Sequence, residues 1–382
     1  MKSNTQPSIK KTFKIVHITS VHTYEDTRIL LKECSSLASN HYKTYLVAPN
    51  APLEGCTINK VNVIRGIKDI HINRVERVTK SLYQTYKTAK DLDADLYHFH
   101  DPELIPVGLS LKNKGKKVIY DVHEDLPRQT LSKDYIPQGI RTITSFGLER
   151  IENFAVKYFD ALVTATPHIR DRFLKLGCHA VDINNYPIIS ELHIPNLDWQ
   201  EKEKAVCYVG GITEIRGIFT MIEAMSQVDG ALLLGGNFFY SQEQEQAKKM
   251  KGWSNVKELG YLNRMEVGQT LAKSMAGLVV LHPTMNYLDS LPVKMFEYMS
   301  AGLPVIASNF PLWKEIIEGN NCGICVDPLD TKEISQAIQW IFEHPQEAQK
   351  MGKNARRAVE NKYNWENEAK KLLSLYERFL KS

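Results

Sequence analysis

Between Asp289 and Glu297 the run DSLPVKMFE sets a carboxylate, a serine, a proline, a lysine and a second carboxylate. The strand-like run AGLVVLHP precedes it across a loop. Ser290 is of the type that caps a helix, and Pro292 is tolerated in a first turn because its missing N–H would have had no partner. Free N–H groups and the dipole at such an end favour an anion. Lys294 adds a full positive charge there, against the dipole, and Glu297 shares its helix face three residues on. A surface ion pair is one explanation. The other is a phosphate held by Lys294 and backbone amides, with Glu297 accepting both hydroxyls of a ribose. The second is the chemistry of a nucleoside diphosphate.

A second phosphate signal lies upstream in CYVGGITEIRGIFTMIEAM, Cys207–Met225, read as strand, Gly-Gly turn, loop and helix. Glycines let the backbone approach a ligand, and Arg216 can grip phosphate with its planar fork. The first half carries a different set. HFHD (His98, His100, Asp101) and DVHE (Asp121, His123, Glu124) end neighbouring strand-like runs, and strand alternation puts His98 and His100 on one face. These residues could hold a metal ion, which keeps a metal-dependent hydrolase open as an alternative. The close pair Cys322 and Cys325 in CGIC lacks the second pair or the histidines of a zinc site, and reads as core cysteines.

The elements that must position these residues follow from periodicity. The runs FKIVHIT, KTYLVAP, DLYHFH, KVIYDVH and DALVTAT alternate with segments of helical period such as DTRILLKECSSLA. After a poorly periodic stretch, Asn184–Lys204, the pattern restarts with AVCYVGG, ALLLGG, NVKELG, AGLVVLHP, LPVIAS and CGICVDP. Strands alternating with helices imply parallel sheets covered on both faces. We therefore expect an α/β protein of two Rossmann-like doubly wound domains, 1–190 and 191–363, with a closing amphipathic helix over 364–382 that crosses back to the first domain. Ligands of such sheets bind beyond the carboxyl ends of the strands, and a cleft between two such domains is the expected site.

Composition agrees with this reading. The chain has 382 residues, 43% hydrophobic and 24% charged, which describes a globular protein too long for one core. Six cysteines do not make a disulfide framework. No apolar run is long enough to span a membrane, and the basic, polar N-terminus lacks the apolar stretch of a secretory signal, so a cytoplasmic location is expected. Basic residues exceed acidic ones in the first 190 residues, and the reverse holds afterwards. The basic LKNKGKK segment reads as a helix end leading into a strand, and no basic stripe with interleaved aromatics suggests nucleic acid.

Taken together, Arg216-Gly217 before a helix and the PVKMFEYMSAGLPVIAS run resemble the donor-binding domain of family 4 retaining glycosyltransferases of the GT-B fold. The pattern PxKxxEYMxxGxPVIAS is similar to that of bacterial polysaccharide-type members. VHTYEDTRILLKECSSLA, HFHDPELIPVG, YDVHEDLPR and NWENEAKKLLSLYERFL extend the resemblance over nearly the whole chain. It implies that Glu297 binds the ribose. It also implies that Asp289 stands where a glutamate near the donor sugar is usual. Of the Arg and Lys that neutralise the diphosphate, the first position falls on Gly211 and the second on Arg216, which leaves Lys294 to replace the missing charge. Tyr261 and Leu262 in ELGYL resemble the segment whose backbone meets the base, and Leu291 lies in the donor loop. His123 maps to a histidine near the reacting centre. Asp26, Arg28, His100 and Asp101 map to the acceptor side, although the first loop, SVHTYEDTR, has no glycine pair.

The resemblance implies a metal-independent, hexosyltransferase-type enzyme without cofactor. It would move a sugar from a UDP- or GDP-sugar to a glycan or lipid-linked acceptor in cell-surface polysaccharide or glycolipid assembly. Asp289 and Gly211, as departures, keep open a non-catalytic homologue that only binds the nucleotide sugar. The helical segment GIRTITSFGLERIENFAVKYF, with Arg141, Arg150 and Lys157 beside phenylalanines and isoleucines, suits peripheral contact with the inner face of a membrane, or else an ordinary core helix.

Overall fold

We describe the protein from a computed structural model, for residues 12–66, 74–131, 137–192 and 199–381. The N-terminal residues 1–11 and the centre of the poorly periodic stretch, 193–198, lie outside the described residues. The chain divides into two compact units, 1–183 with 369–382, and 184–368.

The first unit holds an eight-stranded sheet in the order β3-β4-β2-β1-β5-β6-β7-β8. Its strands are β1 (Lys14–Ile18), β2 (Lys43–Ala48), β3 (Cys56–Ile58), β4 (Val61–Arg65), β5 (Leu96–Phe99), β6 (Lys117–Val122), β7 (Ala161–Thr164) and β8 (Ala180–Asp182). All neighbours are parallel except β3 and β4. That antiparallel hairpin corrects the all-parallel expectation. Asn59 and Lys60 both take positive φ, the two-residue turn whose twist matches paired strands. Helices cover both faces. Val16, Tyr97, Phe99 and Tyr120 pack on one side, and Ile29, Leu46 and Val63 on the other. LKNKGKK joins the helix Ile105–Lys112 to β6.

The segment expected as an ordinary helix after β1 begins as a π-helix, Thr27–Cys34. Asp26 opens it by accepting from the Ile29 N–H at 2.9 Å. The wider turn brings Arg28 and Glu33, five residues apart, onto one inward face, where Arg28 Nε meets Glu33 Oε1 at 3.0 Å.

The second unit is a six-stranded parallel sheet in the order β11-β10-β9-β12-β13-β14. Its strands are β9 (Ala205–Val209), β10 (Ala231–Gly235), β11 (Val256–Gly260), β12 (Ala276–Val279), β13 (Val305–Ser308) and β14 (Gly323–Val326). Alternation divides β9 between two cores: Ala205 and Cys207 join Phe296 and Trp313, while Val206 and Tyr208 join the helix Ile218–Met225. A fully buried Val or Phe among these contributes about 1.5–3 kcal/mol relative to exposure.

The change of unit falls at Ile183/Asn184, before the boundary read after residue 190. Tyr186 already belongs to the second core, against Phe296 and Tyr363. The helix Trp365–Leu380 begins in the second unit, where Trp365 N–H donates to Pro187 O at 2.9 Å, and its residues from Ala369 onward belong to the first. Cys322 and Cys325 flank and enter β14; burial pushes both thiols up to about 12, which keeps them protonated and unreactive.

Candidate active site

The helix Val293–Ser300 begins beyond the carboxyl end of β12. Its apolar residues Met295, Phe296, Tyr298 and Met299 face the core, so Lys294 and Glu297 share the remaining face. Tyr298 pins it: the ring lies where Gly277 has no side chain, and the hydroxyl accepts from Val209 N–H at 2.8 Å. A Cβ at Gly277 would come within 2.1 Å of that ring. Ser290 is not the cap. Pro292 takes the cap position without a side-chain hydrogen bond, and Ser290 Oγ donates back to Tyr287 O at 3.0 Å. The preceding loop is tied down by Trp313 Nε1, which donates to Ser290 O at 2.7 Å.

Lys294 is half-buried as a residue, yet its Nζ is shut off from solvent and makes no hydrogen bond. The amine rests 3.7 Å from the Tyr208 ring centroid and would lie 3.0 Å from a Cβ at Gly210. Burial, and then the Arg216 guanidinium, hold its pKa well below the usual lysine range, with Glu297 acting the other way. A positive φ at Gly210 turns the chain after β9, and Tyr208 Oη and Arg216 Nη1 both donate to Gly211 O, at 2.7 and 3.0 Å. Gly211 has no room for a side chain, because a Cβ would meet Arg216 Nη1 and Phe239 Cζ at 2.6 Å. Arg216 and Lys294 thus crowd the turn where a third cation is missing. Gly217, at φ 80°, starts the next helix against Val280 O, which a Cβ would meet at 2.1 Å.

Glu297 is not paired with Lys294. Arg264 Nη1 donates to its Oε1 at 2.8 Å, and Arg264 Nε donates to Glu191 at 2.7 Å. The sequence reading missed Arg264; its signal was the capping box of Asn263 and Glu266, which starts a helix there. A cavity of about 280 Å³ is lined by Val209, Gly210, Gly211, Gly236, Asn237, Phe239, Tyr261 and Leu262. Its floor is glycine because Gly236 passes Gly210 O so closely that a Cβ would sit at 1.9 Å. Leu291 is packed against the core, and Asp289 is exposed at the end of the short helix Met285–Leu288. A larger depression of about 490 Å³, along β14 and the helix Pro345–Asn361, contains none of these residues. The smaller cavity lies next to the glycine turn and the two cations.

In the first unit the strand ends converge on a buried polar group. Arg28 Nε and Nη2 donate to Asp121 Oδ2 and Oδ1 at 3.1 and 3.0 Å, and Nη1 donates to Ile183 O at 2.7 Å. Burial alone would raise Asp121, but Arg28 and then His123 outweigh it and hold that carboxyl well below its usual range. Burial and the nearby Asp121 charge push Glu33 well up, so it keeps its proton. His17, His98 and His100 are wholly buried, and burial is the first cause that lowers each below the usual histidine value.

Of the residues read as acceptor-side, Arg28, His100 and Asp101 are buried, being 4%, 2% and 3% exposed. Asp101 instead organises the loop after β1, accepting from Thr19 Oγ1 and Ser20 N–H at 2.7 Å each. The reachable groups are Asp26, His22 and His123. His123 is 17% exposed, with Nε2 at 3.2 Å from Asp121 Oδ2 and its ring 4.9 Å from that of His22. Burial opposes it, but hydrogen bonds from His22 and from Ile29 N–H bring Asp26 down to about 2.

The metal alternative does not assemble as read. Asp101 points to the loop, and Glu124 accepts from Gln129. Among the described residues, the group with metal-ligand composition is Glu33, His98, His100 and Asp121, whose candidate atoms lie within 4.8 Å of one another. Arg28 already bonds the Asp121 carboxylate and lies 3.0 Å from Glu33, so a dication there would stand against a buried guanidinium. These residues do not fit a metal ion.

Residues 190–358 match the family model for Glycosyl transferases group 1, and residues 27–184 match that for Glycosyltransferase Family 4. The fold matches sucrose-phosphate synthase from Thermosynechococcus elongatus with a TM-score of 0.76 at 19% identity, covering 96% of this chain and 98% of that one. The chain is a glycosyltransferase of the GT-B fold. This glycosyltransferase is also similar to the D-rhamnosyltransferase WbpZ of Pseudomonas aeruginosa, 24% identical over 339 residues, or 86% of this chain and 85% of WbpZ. HepE of Anabaena, solved with UDP, superposes with a TM-score of 0.71 at 15% identity, covering 96% of this chain and all of HepE. Among the described residues of the glycosyltransferase, no helix is long and apolar enough to cross a membrane.

Proposed function

We propose that the protein transfers a hexose-type sugar from a UDP- or GDP-sugar to an acceptor hydroxyl, with retention at the anomeric carbon and without a metal ion. The observation that carries this reading is the Lys294 amine, buried, without a hydrogen-bond partner, beside the Gly210-Gly211 turn and Arg216. An unpaired buried amine costs stability, and a diphosphate supplies the missing partner. Lys294 and Arg216 would then stabilise the leaving diphosphate in place of a metal. Glu297, with Oε1 fixed by Arg264, accepts from the ribose hydroxyls, and the cavity beside Tyr261 and Leu262 takes the base. Asp289 serves the donor sugar in place of the family's glutamate, and His123 takes part in the reaction. HepE, solved with UDP, and the sugar transfer in WbpZ's name support this class of donor.

Thermal unfolding with UDP, GDP and ADP, without added metal, tests it. One nucleotide at 100 times its Kd is expected to add about 2.7 kcal/mol, and Glu297→Ala to reduce that gain. No shift with any nucleotide would sink the donor site. Binding with neither transfer nor slow donor hydrolysis would instead favour the non-catalytic homologue.

The acceptor we propose is a lipid-linked glycan in surface polysaccharide or glycolipid assembly, reached at the inner face of a membrane. The helix Gln138–Ala155 favours it. Ile140, Ile143, Ile151, Phe154 and, just beyond, Tyr158 recur on one side, and all are more than half exposed. The acids of that helix are spent elsewhere: Glu149 pairs with Arg128, and buried Glu152 with Arg172. Arg150 and Lys157 stay exposed beside the stripe. We expect flotation with phosphatidylglycerol vesicles but not with phosphatidylcholine ones. Ile143→Glu with Phe154→Glu should weaken it at least tenfold at unchanged Tm. Equal flotation of the variant would remove the membrane from this reading.

A further inference from the structure

His123 ends a buried hydrogen-bonded chain that reaches the helix Trp365–Leu380, and the protein-side chemistry fixes its direction. His98 Nδ1 lies 2.7 Å from Tyr376 Oη, and Tyr376 Oη lies 3.0 Å from His17 Nε2. His17 Nδ1 lies 2.9 Å from His100 Nε2, and His100 Nδ1 lies 3.2 Å from Asp121 Oδ2. Asp121 carries the Arg28 guanidinium on both oxygens and is ionised, so it can only accept. A proton on His100 Nδ1 meets this anionic acceptor, whereas one on Nε2 would leave the Nδ1 lone pair facing the carboxylate. Each neutral ring has one donor and one acceptor nitrogen, and the remaining assignments follow. His100 Nε2 accepts from His17 Nδ1–H, His17 Nε2 accepts from Tyr376 O–H, and Tyr376 Oη accepts from His98 Nδ1–H. This leaves a bare lone pair on His98 Nε2, and that atom is buried without a partner. Glu33, which keeps its proton, also faces the chain, with Oε2 at 3.9 Å from His17 Nδ1 and 4.0 Å from His98 Nδ1.

His123 Nε2 stands 3.2 Å from the same Asp121 Oδ2 and 3.1 Å from His100 Nδ1. With the His100 proton locked on Nδ1, the His100 ring offers no lone pair to His123. Among the described residues, the acceptor left beside His123 Nε2 is the Asp121 carboxylate. Nε2 then carries hydrogen, and His123 Nδ1 presents a lone pair. We propose that Tyr376 and His17 are positioning residues for His123. Through His100 they keep the His123 Nε2–H on Asp121 alone, so that the ring is held in one orientation and Nδ1 is a fixed acceptor for a hydroxyl of the sugar or acceptor substrate. The assignment rests on the reading of His123 as a residue of the transfer reaction. Without the Tyr376 hydroxyl, His17 is free to protonate Nε2. His100 can then protonate Nε2 in turn, and its bare Nδ1 competes with Asp121 for the His123 proton.

The test uses the full chain labelled with ¹⁵N, and ring-nitrogen spectra that report each histidine's tautomer, assigned with single His→Gln variants. In the wild type, His17, His98 and His100 are expected as Nδ1–H and His123 as Nε2–H. Tyr376→Phe removes only a hydroxyl. It should mix the tautomers of His17 and His100 and lower kcat about tenfold, with KM for the donor unchanged. A wild-type His17 protonated on Nε2 overturns the proposal, as does one equivalent of metal on His98 and His100. It also falls if Tyr376→Phe leaves spectra and kcat unchanged, or changes the spectra without changing kcat. Those results leave nucleotide binding in the second unit intact, so they are distinguishable from failure of the donor reading.

Discussion

Lys294→Met is expected to abolish most transfer while making the donor-free protein more stable. Methionine keeps the length and apolar stem and removes an amine that burial, and then Arg216, hold at low pKa without a hydrogen-bond partner. An unsatisfied buried polar group costs about 1–3 kcal/mol, and contact with the Tyr208 ring returns part of that. The net gain should be about 1 kcal/mol, or roughly 2–4 °C in the Tm of a unit of this size. Loss of one charge aimed at the leaving diphosphate should lower kcat/KM about 10²–10³-fold. Lysine must also regain its proton as the diphosphate enters. Nucleotide binding should therefore take up a proton and tighten as pH falls between the free and bound pKa values of Lys294. Calorimetry in two buffers of different ionisation enthalpy measures that uptake. A variant with wild-type kcat/KM would show that the charge is not used.

A loss of stability in mild acid is expected of the first unit. His17, His98 and His100 are neutral in the fold, held below 6.5 first of all by burial, whereas the unfolded chain protonates all three below that pH. Glu33 acts oppositely: the fold keeps its proton, and the unfolded chain releases it above 4.5. Below pH 6.5 the three rings thus make the unfolded state bind more protons than the folded one, and Glu33 offsets part of that difference. Stability should therefore fall as pH falls from 6.5 toward 4.5. Asp121 and Asp26, both depressed, contribute stability that is present above pH 3.8 and lost only below it. His22, raised by Asp26, is protonated in both states below 6.5, and its contribution disappears only as pH rises through its folded pKa. All five tryptophans lie in the second unit. Urea unfolding followed by far-ultraviolet circular dichroism should therefore show the loss more strongly than tryptophan fluorescence does. Constant stability from pH 7.5 to 5 would mean that the buried rings are charged.

The second unit was the more legible in sequence, because its ligand chemistry is local. The Gly-Gly turn, Arg216 and the run from Asp289 to Glu297 lie at strand ends that the apolar runs mark. The side chains there act through the backbone next to them. Arg264 escaped notice because it reaches Glu297 from another helix. In the first unit, the strands read correctly except β3, β4 and β8, which are short or half-polar. The function of its polar residues did not. Arg28, His100 and Asp101 have the residue types of a surface site, and only their partners show them to be interior. Those partners are distant in sequence: Asp121 for Arg28, Thr19 and Ser20 for Asp101, and Tyr376 for His17. The π-helix was hidden too, since a period near 3.6 and a slightly wider one look alike over eight residues.

The placement of Tyr376 has a consequence for synthesis. The first unit is complete only when residues 369–382 join residues 1–183, and the whole second unit is translated in between. At 5–20 residues per second, roughly 10–40 s separate the emergence of β8 from that of Tyr376. During that interval His17 and His98 lack their shared hydroxyl, and the apolar residues Leu372, Leu375 and Tyr376 have not arrived. The N-terminal half should therefore complete its fold only after the second unit has been made.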